Sequence, residues 1–515
     1  MTESRAGRRE WMGLAVLAFP CLLLSMDFTV LHLAVPALTA SLAPSSTQLL
    51  WIVDIYGFMI GSSLITMGTL GDRIGRRRLL LIGGAVFGIA SVGAAFSGSA
   101  AMLITTRALL GVAGATLMPS TLALIRNMFH DAHQRRIAIA IWINSFVVGS
   151  AIGPLLGGVM LEHFWWGSVF LLNVPVMALL LVLGPILLPE FRDPDAGRLD
   201  LFSAALSLVA ILAIIYGIKR IAQDGAGSVS FVAIAAGLVV AVGFVMRQRQ
   251  LSDPLIDVGL FQVPAFSASV ATQLVASVSM GGIYLFVAQY LQLVLGLSPF
   301  QAGKWLLPST FAGILGTMLA PFFARRIRTV HVMGAGMIVA AVGMSVLTLV
   351  GDRSALAAIV VSFMMISLGF SAAMTLTTDM IMTVAPPERA GAASGISETS
   401  AELGMALGVA VLGSIGTASY RRIMASSLPS GIPAEAAANA RATLGGAVAA
   451  AREIGGERGS QLAGAAREAF AQSLELVATI GAILVVATSI VTYFLLRRAA
   501  TASEARDQSQ VPATA

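Results

Sequence analysis

Apolar residues run along this chain in long blocks broken by short charged connectors. Fourteen blocks can be marked, at about 11–35, 47–70, 79–99, 101–125, 136–160, 165–188, 201–218, 229–246, 265–294, 302–324, 331–350, 354–384, 391–419 and 472–496. A helix of about 20 apolar residues crosses a bilayer core, so nearly every block is long enough to span one. Leu, Ala, Val, Ile and Gly fill the blocks without the strict alternation of a membrane β-strand. The pattern predicts an all-α polytopic membrane protein with fourteen transmembrane helices. The first block has the basic head of a signal peptide (Arg5, Arg8, Arg9), but it is long, contains Asp27 and lacks a small-residue cleavage site, so it reads as a retained span.

Composition agrees and narrows the class. Only 11% of the 515 residues are charged and 57% are apolar, and the mean hydropathy is +0.87. Soluble proteins carry about 25% charged residues. A soluble multidomain enzyme, a disordered chain and a disulfide scaffold are excluded, the last because Cys21 stands alone. The net charge of +6 could signal nucleic acid, but its distribution argues otherwise. Twenty-one of the 32 basic residues fall in connectors and tails on one side. The opposite short loops hold only Lys219, Arg220, Lys304 and Arg353. By the positive-inside rule both termini are expected in the cytoplasm, with the lipid bilayer and not nucleic acid as partner.

Weak internal repeats suggest duplication. Gly68-Thr-Leu-Gly-Asp-Arg-Ile-Gly-Arg-Arg-Arg78, after span 2, has a degraded counterpart in Ala320-Pro-Phe-Phe-Ala-Arg-Arg-Ile-Arg328, after span 10. Gly149, Gly153 and Gly157 in span 5 correspond to Gly404 and Gly408 in span 13. A shift of eight spans relates the two, which predicts six-helix bundles at 1–190 and 261–515 with an inserted helix pair at 191–260. Duplicated halves are a transporter signature, with the substrate site between them. The stretch 420–471, with helical patches near 433–453 and 460–471 parted by Gly455-Gly456, reads equally as a helical hairpin or a loose loop outside the cell, and 498–515 as a cytoplasmic tail.

Several motifs carry a resemblance. Gly68-x-Leu70-x-Asp72-Arg73-x-Gly75-Arg76-Arg77 resembles the signature loop of the major facilitator superfamily. Its glycines permit a tight turn, and Asp72 is placed to pair with an arginine or a helix N-terminus as a latch between cytoplasmic helix ends. Met26-Asp27-Phe-Thr29-Val30-x-x-x-Ala34-x-Pro36 and Arg107-x-x-x-Gly111-x-x-Gly114 are similar to motifs of that superfamily's fourteen-span drug:proton antiporters. Gly149-x-x-x-Gly153-Pro154-x-x-Gly157-Gly158 is similar to their span-5 antiporter motif. Trp51-Ile-Val-Asp54-Ile-Tyr56 and Glu398-x-x-x-Glu402-Leu-Gly404 resemble segments of quaternary ammonium and dye exporters, although Ser397 stands where some of these have a second carboxylate. The resemblance implies proton-driven export through a bacterial inner membrane, by a monomer.

The residues themselves point to coupling through buried charge, since an ionisable group inside a span is a functional candidate by default. Asp27, Asp54 and Arg107 lie at similar depth, roughly 10 Å below the outer boundary at 1.5 Å per residue. They could form one carboxylate–guanidinium cluster that takes up and releases a proton, with Asp27 the carrier and Arg107 tuning it, although a static ion pair of Asp54 with Arg107 fits the same spacing. Glu398 and Glu402, four apart, share a helix face and repel when both are ionised. Asp379 is brought near them by the Pro386-Pro387 hairpin, as a group that attracts cations or protons, or as a hydrated residue near the interface. The glycines from Gly149 to Gly158 strip one helix face, and Pro154 allows a bend, for packing or for an outer gate. Aromatic residues such as Trp51, Tyr56, Phe146, Tyr284 and Trp305 are available to face lipophilic cations. No P-loop occurs and the five histidines fall at or beyond span ends, so no metal or cofactor is called for. The expected activity is alternating-access antiport of protons against lipophilic cations, with another amphiphile (lipid, siderophore or antibiotic) as the alternative cargo.

Overall fold

The computed structural model describes residues 6–192, 200–225, 227–251, 254–348, 355–385 and 390–509. Among them there is no strand. The first helices are α1 (Arg8–Leu42), α2 (Ser46–Ile74), α3 (Arg76–Ala95), α4 (Ala100–Met128), α5 (Ala132–His163), the short α6 (Ser168–Leu171) and α7 (Asn173–Leu187). Then come α8 (Leu201–Asp224), α9 (Ser228–Gln250), α10 (Pro264–Gln289), α11 (Pro299–Ala324), α12 (Thr329–Leu347), α13 (Ala355–Val384) and α14 (Ala390–Ser427). The last are α15 (Ala434–Ala442), α16 (Leu444–Ile454) and α17 (Gly456–Ser509). Thirteen spans are long and apolar enough to cross a membrane, or fourteen with α2, which bends by 54° between Ser46–Leu64 and Thr66–Ile74.

Local chemistry sets the helix starts. Ser45 and Ser298 accept the amides of Gln48 and Gln301 in capping boxes, and Asp131 accepts Gln134 N. Pro264 and Pro299 occupy first-turn positions, where a missing N–H costs nothing. Pro154 and other interior prolines are tolerated because neighbouring helices cover the freed carbonyls.

Helix contacts repeat along the chain. α1 lies along α5, α2 along α4, and α3 against α4 and α7; in the same way α10 lies along α14, α11 along α13, and α12 against α13 and α17. The two sets meet through α2 against α14 and α5 against α11. α8 packs on both α2 and α14, beside that seam, and α9 packs on α8. The rest of α9 faces outward, with Val232, Val239 and Val242 exposed, as do Ile89 of α3 and Met318 of α11. Such a belt is what lipid-facing helices present, since lipid tails are as apolar as the side chains.

One end of the helix array carries α15 and α16 and is called the hairpin end; the α2–α3 connector marks the opposite, basic end. The hairpin is ordered and does not float. It seats on α14, α17 and α1. Tyr420 donates to Ala440 O at 2.9 Å, and Ser46 donates to Ala442 O at 2.5 Å. Thr443 breaks the first expected patch into two helices and caps the second. The second expected patch is not separate: Gly455 and Gly456, at φ 62° and 58°, turn the chain directly into α17. That helix continues to Ser509, into the expected tail; 510–515 lie outside the described residues.

Candidate functional site

The glycine stripe of α5 positions α1. A Cβ at Gly149 would meet the carbonyl of Leu22, one at Gly153 the Thr29 hydroxyl, and one at Gly157 the Val30 side chain at 2.6 Å. Ser25 donates to Phe146 O at 2.5 Å along the same contact. Asp27 therefore sits on a part of α1 whose backbone is fixed against α5. Gly158 faces the other way, towards the backbone of Phe300, and Gly303 meets the carbonyl of Pro154. The motif thus joins α1 on one side and α11 on the other, near the hairpin end.

Arg107 approaches Asp27 from α4. Gly111, one turn on, would collide through a Cβ with Met59 and the Tyr56 carbonyl at 2.6 Å, so its bare backbone lets α4 close on α2. The guanidinium donates to Asp27 Oδ2 at 2.5 Å, to Ile52 O at 3.2 Å and to Val53 O at 3.4 Å. It also lies 4.5 Å from the centre of the Tyr56 ring. The two charged side chains are 1% and 6% exposed. The Tyr56 hydroxyl sits in the fields of Asp27 and Arg107 and of Glu402 from α14.

Asp54 does not join this pair. Lys219 of α8 places Nζ 2.9 Å from Oδ1 and 2.8 Å from Oδ2, with both side chains at 0% exposure. The ammonium also sits 3.7 Å from the Trp51 ring centre. The single cluster expected from depth is therefore two adjacent ion pairs, Asp27–Arg107 and Asp54–Lys219. Sequence reasoning missed Lys219 because it ended the seventh span at 218 and gave Lys219 to a loop. The helix continues to Asp224, and its packing on α2 buries the lysine. The signal available was a lone lysine, in a chain of 30 arginines and 2 lysines, one residue beyond an apolar block.

The second set of carboxylates lies on α13 and α14. Glu398 and Glu402 are half-buried on α14 and within each other's field. Ser397 donates to Gln273 Oε1 at 3.0 Å and accepts from Gln273 Nε2 through its carbonyl at 3.1 Å, which ties this turn to α10. A Cβ at Gly61 of α2 would meet the Leu403 side chain at 2.7 Å, so the two sets touch beside Glu402. Asp379 is exposed near the end of α13. The Pro386-Pro387 turn expected to carry it towards Glu398 lies outside the described residues.

At the basic end Asp72 pairs with Arg76, four residues on, at 2.5 Å. It closes its own loop. The contact between helix ends is made by neighbours: Arg76 N donates to Phe191 O at 2.9 Å, and Arg77 donates to Leu188 O at 3.0 Å. Gly75 has φ 110°, and a Cβ there would meet Glu190 at 2.5 Å, so the turn requires glycine. Gly68 is uncrowded and Arg73 is exposed. Among the aromatics, Tyr284 packs edge-on to His32 at 4.8 Å; His32, expected at a span end, is buried within α1. Trp305 is 43% exposed.

Comparison with known proteins places this geometry. The Major Facilitator Superfamily model matches residues 17–409. The multidrug efflux pump LfrA of Mycolicibacterium smegmatis is 44% identical over 96% of this chain and 98% of its own length. The methyl viologen resistance protein SmvA of Salmonella typhimurium is 36% identical over 95% and 99%, and the tetracenomycin C resistance and export protein of Streptomyces glaucescens 31% over 98% and 95%. A solved bacterial homologue of the human lysosomal transporter Spinster, inward-facing and unoccupied, superposes with a TM-score of 0.68 at 17% identity, over 96% of this chain and 99% of that one. A family match over most of the chain and full-length relatives above 30% identity decide the matter: this chain is a transporter rather than an enzyme, and it belongs to the Major Facilitator Superfamily.

Proposed function

We propose that the chain is a proton-coupled multidrug efflux antiporter that exports lipophilic cations by alternating access. The observation that carries the reading is the Asp27–Arg107 pair, sealed from solvent and held against the α2 backbone at Ile52 and Val53. A proton arriving on Asp27 removes the anion that holds Arg107, and the freed guanidinium stays on the carbonyls of Ile52 and Val53. The α2 backbone feels that change, and α2 is the helix that meets α14. Glu398 and Glu402, with Asp379 nearer the basic end, are the anionic groups for cation or proton. Two carboxylates within each other's field favour a cargo that brings positive charge. SmvA is named for methyl viologen, a quaternary bipyridinium, which supports this cargo class.

The division into helix sets at 1–190 and 261–515 with an inserted pair at 191–260 is part of the same reading, supported by the repeating helix contacts. The hairpin end is assigned to the outside and the basic end to the cytoplasm of a bacterial inner membrane. The α5–α11 contact at Gly158 and Gly303 then closes the outer side, which makes this an inward-facing state with the span-5 glycines as the outer gate. Export of another amphiphile remains the second reading, favoured by the relative that exports tetracenomycin C. The deciding experiment is proton-driven efflux of a cationic dye from everted vesicles. Asp27→Asn is expected to abolish it while the purified protein stays monodisperse. Full efflux by that variant removes Asp27 as the carrier.

A further inference from the structure

The Asp54–Lys219 pair has no part in the proton step above, and its placement asks for a reason. A buried ion pair seldom adds stability over an apolar replacement of the same size. A helix packed on the flank of an array has no packing need for one. Yet α8 delivers a lysine to α2 with both charges fully enclosed and an aromatic face beneath the ammonium. The two ion pairs adjoin: Arg107 holds the carbonyls of Ile52 and Val53, the residues immediately before Asp54. With all four groups charged the cluster is neutral. The other ionisable groups brought to this stretch are Tyr56 on α2 itself, Arg220 beside Lys219 on α8, and Glu398 and Glu402 on α14. Both oxygens of Asp54 lie on Lys219.

We propose that Lys219 holds Asp54 as a fixed anion, so that Asp54 takes no part in proton exchange and one proton, on Asp27, is exchanged per cycle by this set of helices. The inserted pair is then the source of an internal counter-ion that sets the proton count. The inference rests on the proton-coupled reading above. Its chemistry is simple. Lys219→Met keeps an unbranched apolar stem but brings no charge. Without a counter-ion the Asp54 carboxylate takes a proton from the water on one side while it is enclosed and gives it up to the water on the other side when alternating access hydrates it, so Asp54 becomes a second exchangeable site in that variant.

The test uses the full chain in proteoliposomes, with a monocationic dye as cargo, reading protons per dye from the reversal potential and the pH dependence of transport. Lys219→Met is expected to raise the ratio towards two and steepen the pH profile, while Lys219→Arg leaves both unchanged. Should Lys219→Met not fold, the charge-free double variant Asp54→Asn/Lys219→Met decides. It is expected to transport with the wild-type ratio and profile. A lower ratio or arrest in the double variant overturns the proposal by making Asp54 a carrier. A folded Lys219→Met with the wild-type ratio and slope overturns it equally, leaving a pair that only fixes packing. Wild-type protein that moves no protons with dye sinks the proton-coupled reading itself. Coupling that Asp27→Asn abolishes, together with either overturning result, sinks only the role of Lys219.

Discussion

Removal of Arg107 alone separates a compensating charge from a bystander. The Asp27 side chain is 6% exposed and its carboxylate sits 2.5 Å from the guanidinium. Arg107→Met leaves that carboxylate buried without its cation, which costs about 3–5 kcal/mol. The lost bonds to Ile52 O and Val53 O add about 1 kcal/mol between them, because both are long. The single variant is therefore expected to lose roughly 4–6 kcal/mol. Asp27→Asn in the same chain removes the stranded charge and keeps only the smaller losses, about 1–2 kcal/mol. Asp27→Asn is thus expected to return about 3 kcal/mol to the Arg107→Met chain. Reversible unfolding of the single and double variants in mixed detergent micelles measures it. A double variant as unstable as Arg107→Met, with less than about 0.5 kcal/mol recovered, refutes the compensation argument.

Two further outcomes follow from packing and from the α8–α9 base. Gly157→Ala is expected to cost about 1–3 kcal/mol and Gly157→Leu more, with loss of dye efflux, because the new side chain meets Val30 and pushes α1 off α5. Gly464→Ala, with open space around it in α17, is expected to be neutral or stabilising in the same unfolding assay. Asp200 caps α8, accepting from Ser203 N at 3.0 Å and from Arg247 at 3.2 Å. Burial pushes its carboxyl up, but the Ser203 hydroxyl and amide and Arg247 outweigh that and hold it below its ordinary value. Its stabilisation is therefore complete above the usual carboxylate range and disappears as pH falls through the lowered value. Hydrogen exchange at the first turn of α8 is expected to accelerate on acidification below about pH 4 in the wild type. Asp200→Asn is expected to remove that acid step, and an unchanged profile refutes it.

The pieces legible in the sequence were those written in a single period. Apolar blocks of membrane length announce themselves by composition, and the span count agrees with the helices observed. The glycine stripe of span 5 was legible as a bare face because its spacing is that of a helix, and α1 and α11 are what occupy its two sides. Depth arithmetic brought Asp27, Asp54 and Arg107 to one level, but level does not fix partners. Which cation meets which carboxylate depends on helix rotation and neighbour choice, and the neighbour of Asp54 comes from a helix inserted 165 residues later. Hydropathy treats a lysine at the end of a block as the block's edge, although its long stem lets the charge be carried inward by packing. Asp379 is the converse case: a carboxylate inside a hydropathic block is exposed near the end of α13, as one of its two expected settings allows.

The distribution of charge across the seam bears on how such a chain selects its cargo. The buried basic side chains among the described residues are Arg107 and Lys219, and each already has a carboxylate. A further anion entering beside them would meet paired cations and gain little. On α14, Glu398 and Glu402 are within each other's field. A cation placed between them relieves their repulsion, whereas an anion aggravates it, by several kcal/mol in a site of low dielectric. Protonation of either carboxylate relieves it as well. Proton and cation are therefore competitors for the same negative potential, which is the thermodynamic requirement for exchanging one against the other. In the proposed cycle the paired charges on α1, α2, α4 and α8 add the second requirement: a proton on Asp27 would alter the hold of Arg107 on the helix that contacts α14.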